Sequence, residues 1–400
     1  MSEKTILRGT MVTDTRVIDD GAVVFSDRIH RCGPARDILS ADEMEVAETV
    51  TGYILPGLVD IHCHGGGGQS FPNAETAQQA MVAVSEHRRH GTTTLVASAV
   101  TAAPEVLRAR ARTLTGLCED DELAGIHFEG PFVSHERCGA QDPTYIVDPD
   151  PELTRELIDI CRGYAVTMTL APEKPRAYGP GSVAEVLIEG GALPSWGHTD
   201  SGPEQVRAAL QYSRQQLETN VQRSSQATAT HLFNGMRPIH HRNPGPVPEF
   251  LADAARGGAI LELIADGVHV APDMVRAVYE MLGRDALVFV TDAMAATGMP
   301  DGSYQLGPQA VTVRNGVATL TEGDSIAGGT SHLLDQVRLL AEDYIPLVDA
   351  VYMASSQGAK ILGDESVGAL AEGKRGDIVV TDRKLHPLRV YRRGTIVSAS

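Results

Sequence analysis

Positive charge, aromatic side chains, paired cysteines and long apolar runs are all scarce in this sequence, and each scarcity excludes something. Only 34 Lys and Arg stand against 52 Asp and Glu, a formal net charge of −18. A nucleic acid or an anionic membrane surface is met by an excess of Lys and Arg, so neither partner is expected. Any anionic ligand must be held by a local cluster of positive groups against the global field. The five cysteines, at 32, 63, 118, 138 and 161, form neither a CxxC motif nor a disulfide framework. A reduced, cytoplasmic protein is the simplest reading. No run reaches the roughly 18 apolar residues of a membrane helix, and the start MSEKTILRG has no signal-peptide apolar stretch. One Trp, ten Tyr and seven Phe beside 40 Gly point to many turns and a core of Ala, Val, Leu and Ile.

What is present is length and rhythm. The 400 residues exceed an ordinary domain. The first 55 read as short strands (TILRG, GAVVFSD, RIHRCG, TGYILPG) without a long helical pattern. From Leu58 onward, eight apolar runs alternate with amphipathic stretches: 58–62, 93–98, 123–128, 167–171, 193–197, 227–232, 260–265 and 286–291. Helix candidates between them are Ala74–His90, Ala103–Leu117, Pro151–Cys161, Ser182–Glu189, Pro203–Leu217 and Pro272–Leu282. Strands alternating with helices imply parallel pairing through right-handed crossovers, and eight units over about 250 residues fit a (β/α)8 barrel. A hairpin with an Asn315-Gly316 turn follows at 310–320, then helices over Ser331–Glu342 and Pro346–Leu362 and a strand-rich tail at 376–398. The fold class is therefore α/β: a TIM barrel over 57–363, with a small β-sandwich domain assembled from 1–56 and 364–400.

Polar residues concentrate at the carboxyl ends of those strands, where barrel enzymes keep their chemistry. Strand alternation puts His62 and His64 of DIHCH on one side, with Ile61 and Cys63 on the other. Glu129 follows the third strand, His198 the fifth, His231 ends the sixth and Asp292 follows the eighth. Together they form a ring of N and O ligands suited to Zn²⁺ or a similar divalent ion. Gly65–Gly68 lacks the P-loop Lys and any GxGxxG spacing, and reads as a flexible loop near the site. His127 shares the strand parity of Glu129, so it either lines the site or packs behind it. Cys138 reads as a filler or a redox-sensitive thiol. His240 and His241 read as loop histidines, and His87 and His90 as members of a polar helix.

The order HxH…E…H…H…D resembles the amidohydrolase superfamily. The stretches GLVDIHCHG, GIHFEGPFVS, GHTDSG, THLFNGM, RNPG, IADGVHV and VTDA are similar to its N-acetylglucosamine-6-phosphate deacetylase family. The resemblance implies that Glu129, His198 and His231 hold a main metal and that His62 and His64 hold a second. Zn²⁺ leads the candidates, with Fe²⁺, Mn²⁺ and Cd²⁺ as alternatives. It implies that Asp292, a ligand as well, is the general base, and that the substrate is an amino-sugar phosphate losing its N-acetyl group. Asn234, the backbone of Gly235, Arg242 and His269 would meet the phosphate, and Ala140, Gln141, Ala327 and Gly328 the rest of the sugar. Arg242 and His269 would come from the other subunit of a homodimer. Gln141 stands where that family usually carries a histidine, which leaves the galactosamine epimer or another N-acyl group open. A cyclic-amide or aminopurine hydrolase is disfavoured because Glu173, and no lysine, follows the fourth strand. A non-catalytic binder is disfavoured because it has no need of Asp292.

Overall fold

In the computed structural model, residues 4–220, 222–323 and 325–399 are described. Eight strands pair in parallel and in sequence order: Leu58–Cys63, Thr92–Val100, Gly125–Glu129, Ala165–Leu170, Leu193–Trp196, Ala227–Ala229, Ala259–Leu263 and Leu287–Phe289. The ring closes just past the last of them. The N–H of Asp292 donates to the His62 carbonyl at 2.9 Å, and that of His64 to the Ala293 carbonyl at 2.7 Å. The strands are short and almost wholly buried because both faces are covered, which is why they read as apolar runs.

Between them, helices start on identifiable caps. Thr76 and Gln79 form a capping box before Ala77–Arg89. Asp150 accepts from the N–H groups of Glu152 and Leu153 to open Pro151–Cys161. Pro151–Cys161, Pro203–Leu217 and Pro272–Leu282 keep the bounds read from sequence. One helix, Val247–Ala255, was not anticipated. The segment Pro346–Leu362 is two helices, Leu347–Met353 and Ser356–Leu362. The break is where the first barrel strand docks: the Val59 N–H donates to the Ala354 carbonyl at 3.0 Å.

The two ends of the chain meet in one seven-stranded sheet, ordered Thr395–Ala399, Pro387–Arg392, Ile378–Thr381, Glu48–Pro56, Thr5–Val12, Val17–Phe25, Ile29–Pro34. One side of it buries a separate cluster of Leu7, Met11, Val23, Phe25, Ile54, Ile378 and Tyr391. Leu55, Val379 and Val390 join the barrel core instead. Two short helices, Ala35–Ile38 and Ala41–Val46, interrupt the stretch read as strands. The hairpin at Asn315-Gly316 forms as read, both residues at positive φ (52° and 74°) as a type I′ turn requires. A third strand, Gly302–Leu306, extends it. Among the described residues, no helix is long and apolar enough to cross a membrane.

Candidate metal centre

Local backbone geometry at the strand ends is unusual where the expected ligands sit. His198, His231 and Asp292 have φ of 46°, 28° and 46°, in the left-handed region that non-glycine residues avoid. Such strain persists only where the surrounding structure enforces it, and it turns each side chain off its strand into the barrel mouth.

All six expected ligands come together there. The Oε1 of Glu129 lies 2.8 Å from His231 Nε2 and 3.0 Å from His198 Nε2. Its Oε2 lies 3.0 Å from His64 Nε2. Asp292 Oδ1 is 3.1 Å from His64 Nε2 and 3.4 Å from His62 Nε2. Two groups result, His62–His64–Glu129–Asp292 and Glu129–His198–His231, with Glu129 common to both. Asp292 has the most open side chain of the six, 13% exposed.

The chemistry of the donors fits a divalent cation. His198 Nδ1 donates to the Arg137 carbonyl at 2.7 Å, and His62 Nδ1 to Glu262 Oε2 at 3.0 Å. Each ring is thereby oriented with its Nε2 turned inward. The Nε2 atoms of His62 and His64 face each other at 3.2 Å, an arrangement that a shared positive charge relieves. Without that charge, protons must supply it. Burial opposes the charged form of His64, yet Asp292 and Glu129 drive its pKa up to about 10. Burial likewise opposes ionisation of Glu129, but bonds from His198, His231 and His64 hold it well below the usual carboxylate range. A set of imidazole nitrogens and carboxylate oxygens suits Zn²⁺ and related ions.

A second gathering, Glu86, His90 and His332, does not fit an ion. Ring nitrogens of both histidines are taken up by hydrogen bonds: His90 Nδ1 donates to the Glu86 carbonyl at 2.9 Å, and His332 lies 3.0 Å from Glu86 Oε1 through Nε2 and 3.2 Å from Asp335 Oδ2 through Nδ1.

Above this cluster lies a cavity of about 240 Å³. His64, Glu129, His198, His231 and Asp292 form its base, and Ala140, Gln141, Asn234, Gly235, His269, Ala327 and Gly328 are among its walls. The close approach of the Gly235 backbone is enforced, since a Cβ there would sit 2.7 Å from His198 Nδ1. Gln141 Nε2 donates to Glu129 Oε2 at 2.6 Å, and its Oε1 accepts the Thr101 N–H at 2.7 Å.

One expectation is corrected. His269 lines the cavity of its own chain, where Asp266 Oδ2 accepts from its Nδ1 at 2.8 Å, so no second subunit is needed to deliver it. Burial works against its charge, but Asp266 raises its pKa overall. Arg242 lies exposed outside this cavity, beside His241 Nε2 at 2.9 Å. Glu173 accepts from Thr199 Oγ1 and the Asp200 N–H and does not line the cavity. His127 lies behind His62, ring centroids 4.2 Å apart, and is bonded at both nitrogens. Cys138 is partly buried and free, its thiol pKa raised by burial. His87 is buried, its pKa lowered to about 3 by burial and by His332.

Sequence reasoning missed Glu262, Thr101 and Asp266. Glu262 had a signal, a lone carboxylate inside the apolar run ILELIA.

A parallel barrel with His, Glu and Asp at the ends of its strands defines a class, and the profile of the Amidohydrolase family matches residues 53–397. The chain belongs to the amidohydrolase family. Within it, the chain is 33% identical over 359 residues to N-acetylglucosamine-6-phosphate deacetylase of Lysinibacillus sphaericus, covering 86% of this chain and 85% of that one. It is 29% identical to N-acetylgalactosamine-6-phosphate deacetylase of Escherichia coli O157:H7, covering 92% and 95%. The structure of a mutant N-acetyl-D-glucosamine-6-phosphate deacetylase from Mycobacterium smegmatis, in complex with N-acetyl-D-glucosamine-6-phosphate, superposes with a TM-score of 0.88. That match is 36% identical and covers 99% of this chain and all of that one.

Proposed function

We propose that this chain hydrolyses the N-acetyl amide of N-acetylglucosamine 6-phosphate to glucosamine 6-phosphate and acetate, a step of amino-sugar breakdown. The observation that carries it is the position of Asp292. It is the most open carboxylate at the base of the cavity, beside His64, Glu129, His198 and His231.

His62, His64, Glu129, His198, His231 and Asp292 would hold one or two divalent ions, Zn²⁺ first among them. When bound, the ion supplies Lewis acidity to the amide carbonyl and acidifies a water molecule. Asp292 accepts the proton of that water and returns it to the departing amine, which leaves poorly unless protonated. Glu129 keeps its carboxylate turned toward both ligand groups through the donation from Gln141 Nε2. Asn234, the Gly235 N–H and His269 meet the phosphate, with Asp266 holding the His269 ring. Ala140, Gln141, Ala327 and Gly328 enclose the sugar. Neither Arg nor Lys lines the cavity among the described residues, and Arg242 is exposed. This supports a homodimer in which Arg242 reaches its partner's site, where its planar fork suits a phosphate. Five free cysteines support a reduced, cytoplasmic setting.

The galactosamine epimer is the second reading, supported by Gln141 in the cavity wall and by the Escherichia coli relative. Acetate release from both N-acetylhexosamine 6-phosphates and from the free sugars decides. The glucosamine phosphate is expected to be fastest, and inactivity on all four overturns the reading.

A further inference from the structure

Beneath the ligands, a belt of buried polar side chains runs through the barrel interior from strand to strand. The Cys63 N–H donates to Ser98 Oγ at 3.0 Å. Ser98 Oγ is 3.0 Å from His127 Nδ1, and His127 Nε2 is 2.9 Å from Thr169 Oγ1. Thr169 Oγ1 is 2.8 Å from Thr230 Oγ1, which is 2.6 Å from Ser195 Oγ. Ser195 Oγ reaches Glu262 Oε1 at 3.5 Å, the longest link, and Glu262 Oε2 accepts from His62 Nδ1 at 3.0 Å and the His231 N–H at 3.3 Å. Ser98, His127, Thr169, Ser195, Thr230 and Glu262 are all at most 1% exposed. No solvent is at hand to satisfy them, so each depends on its neighbours in the belt.

The sense of the belt is set by its ends. A backbone N–H can only donate, and an ionised carboxylate can only accept. Ser98 therefore donates to His127 Nδ1, and the imidazole, neutral, donates from Nε2 to Thr169. Thr169 donates to Thr230, Thr230 to Ser195 and Ser195 to Glu262. The reverse sense would turn a Ser195 lone pair on the carboxylate.

We infer that this belt is a positioning device for the metal centre. Thr230 and Ser195 orient Glu262, and Glu262 fixes His62 with its proton on Nδ1, so that Nε2 faces His64 and Asp292. Thr230, Ser195 and Glu262 are positioning residues, since none of them touches the cavity. The inference rests on the metal-binding reading and not on the identity of the sugar.

The test is metal retention by the holoenzyme, titrated with a competing chelator in the absence of substrate. Thr230→Val keeps the volume but cuts the belt. It is expected to weaken retention about 10- to 100-fold, as loss of a ligand's supporting partner does, while Thr230→Ser retains wild-type affinity. Glu262→Gln should weaken it similarly, and the two changes together should be less than additive because they act on one chain. Ser195→Ala serves if Thr230→Val does not fold, with the same expectation. Wild-type retention in a folded Thr230→Val or Ser195→Ala protein, or full additivity with Glu262→Gln, overturns the inference. A failure of sugar hydrolysis in the wild type would overturn the functional reading and leave this one standing.

Discussion

Gln141 ties Glu129 to the neighbouring strand end. Its Nε2 donates to Glu129 Oε2 at 2.6 Å while its Oε1 accepts the Thr101 N–H at 2.7 Å. Both ends of the amide are thus assigned, because Thr101 N–H is a donor and the carboxylate an acceptor. The Gln141 side chain is buried at the cavity wall, so one of its N–H groups holds Glu129 and the other is left for the proposed substrate.

Gln141→Leu removes both bonds at similar size. A hydrogen bond to a charged group contributes about 1.5–3 kcal/mol, so kcat/KM is expected to fall by about one to two orders of magnitude. The orphaned Thr101 N–H should also lower unfolding stability by about 1–3 kcal/mol. Steady-state kinetics and denaturant titration measure the two effects. A fall in stability with unchanged kinetics would leave Gln141 a wall residue only.

Asp292→Asn tests the proton-transfer role separately from the ligand role. The amide keeps an oxygen for a cation but cannot take a proton, and general acid–base catalysis contributes about 10²–10⁴-fold. Turnover is expected to fall by that range while metal content per chain stays close to wild type. Elemental analysis and acetate release on the same preparation check it, and near-normal turnover would remove Asp292 from the role.

Much of this was legible in the sequence for one physical reason. In a parallel barrel each strand is covered on both faces, so it reads as a short apolar run, and polar residues just past its end stand out against it. The eight runs and the candidate ligands His62, His64, Glu129, His198, His231 and Asp292 all fall into that pattern. The belt does not, because Ser98, Thr169, Ser195 and Thr230 look like ordinary strand formers and only the closed ring shows that they touch. The placement of His269 depends on how 264–271 folds back over the barrel mouth, which no periodicity encodes. The break at Ser355 arises from a long-range bond between Val59 and Ala354.

Glu86 gives the fold a pH signature away from the centre. His332 Nε2 lies 3.0 Å from Glu86 Oε1, and Arg89 Nη2 lies 2.5 Å from Oε2. The bond from His332, with that from Arg89, holds the Glu86 carboxyl at about 2 against an ordinary 4.5. Burial opposes the His332 charge, but Asp335 and Glu86 raise its pKa above 6.5. The carboxylate's contribution is present above pH 4.5 and fades as pH falls toward 2. That of the imidazolium is present below pH 6.5 and fades as pH climbs through the raised value. The melting-temperature gap between wild type and Glu86→Gln should therefore be widest between pH 4.5 and 6.5 and shrink on both sides. A gap that is flat across pH would mean that Glu86 acts by packing alone.

Gly235→Ala places a methyl group against the metal centre. Gly235 has φ of 60°, and a Cβ would lie 2.7 Å from His198 Nδ1 and 3.0 Å from its Cε1. The left-handed conformation alone costs an alanine about 1–2 kcal/mol. Relief by moving the His198 ring would break its bond to the Arg137 carbonyl, 2.7 Å long, and swing Nε2 away from Glu129. Relief by moving the backbone would instead displace the N–H proposed to meet the phosphate. The two routes have different readouts. Ring displacement weakens metal retention about 10- to 100-fold, as loss of a supporting partner does, and lowers kcat. Backbone displacement raises KM for the phosphorylated sugar and leaves the free sugar unchanged. His198 is held at both ring nitrogens, by Glu129 Oε1 at 3.0 Å and by the Arg137 carbonyl at 2.7 Å, so the backbone is the softer element. A rise in KM restricted to phosphorylated substrate is therefore expected, and an unchanged KM with lost metal would show that the ring had yielded first.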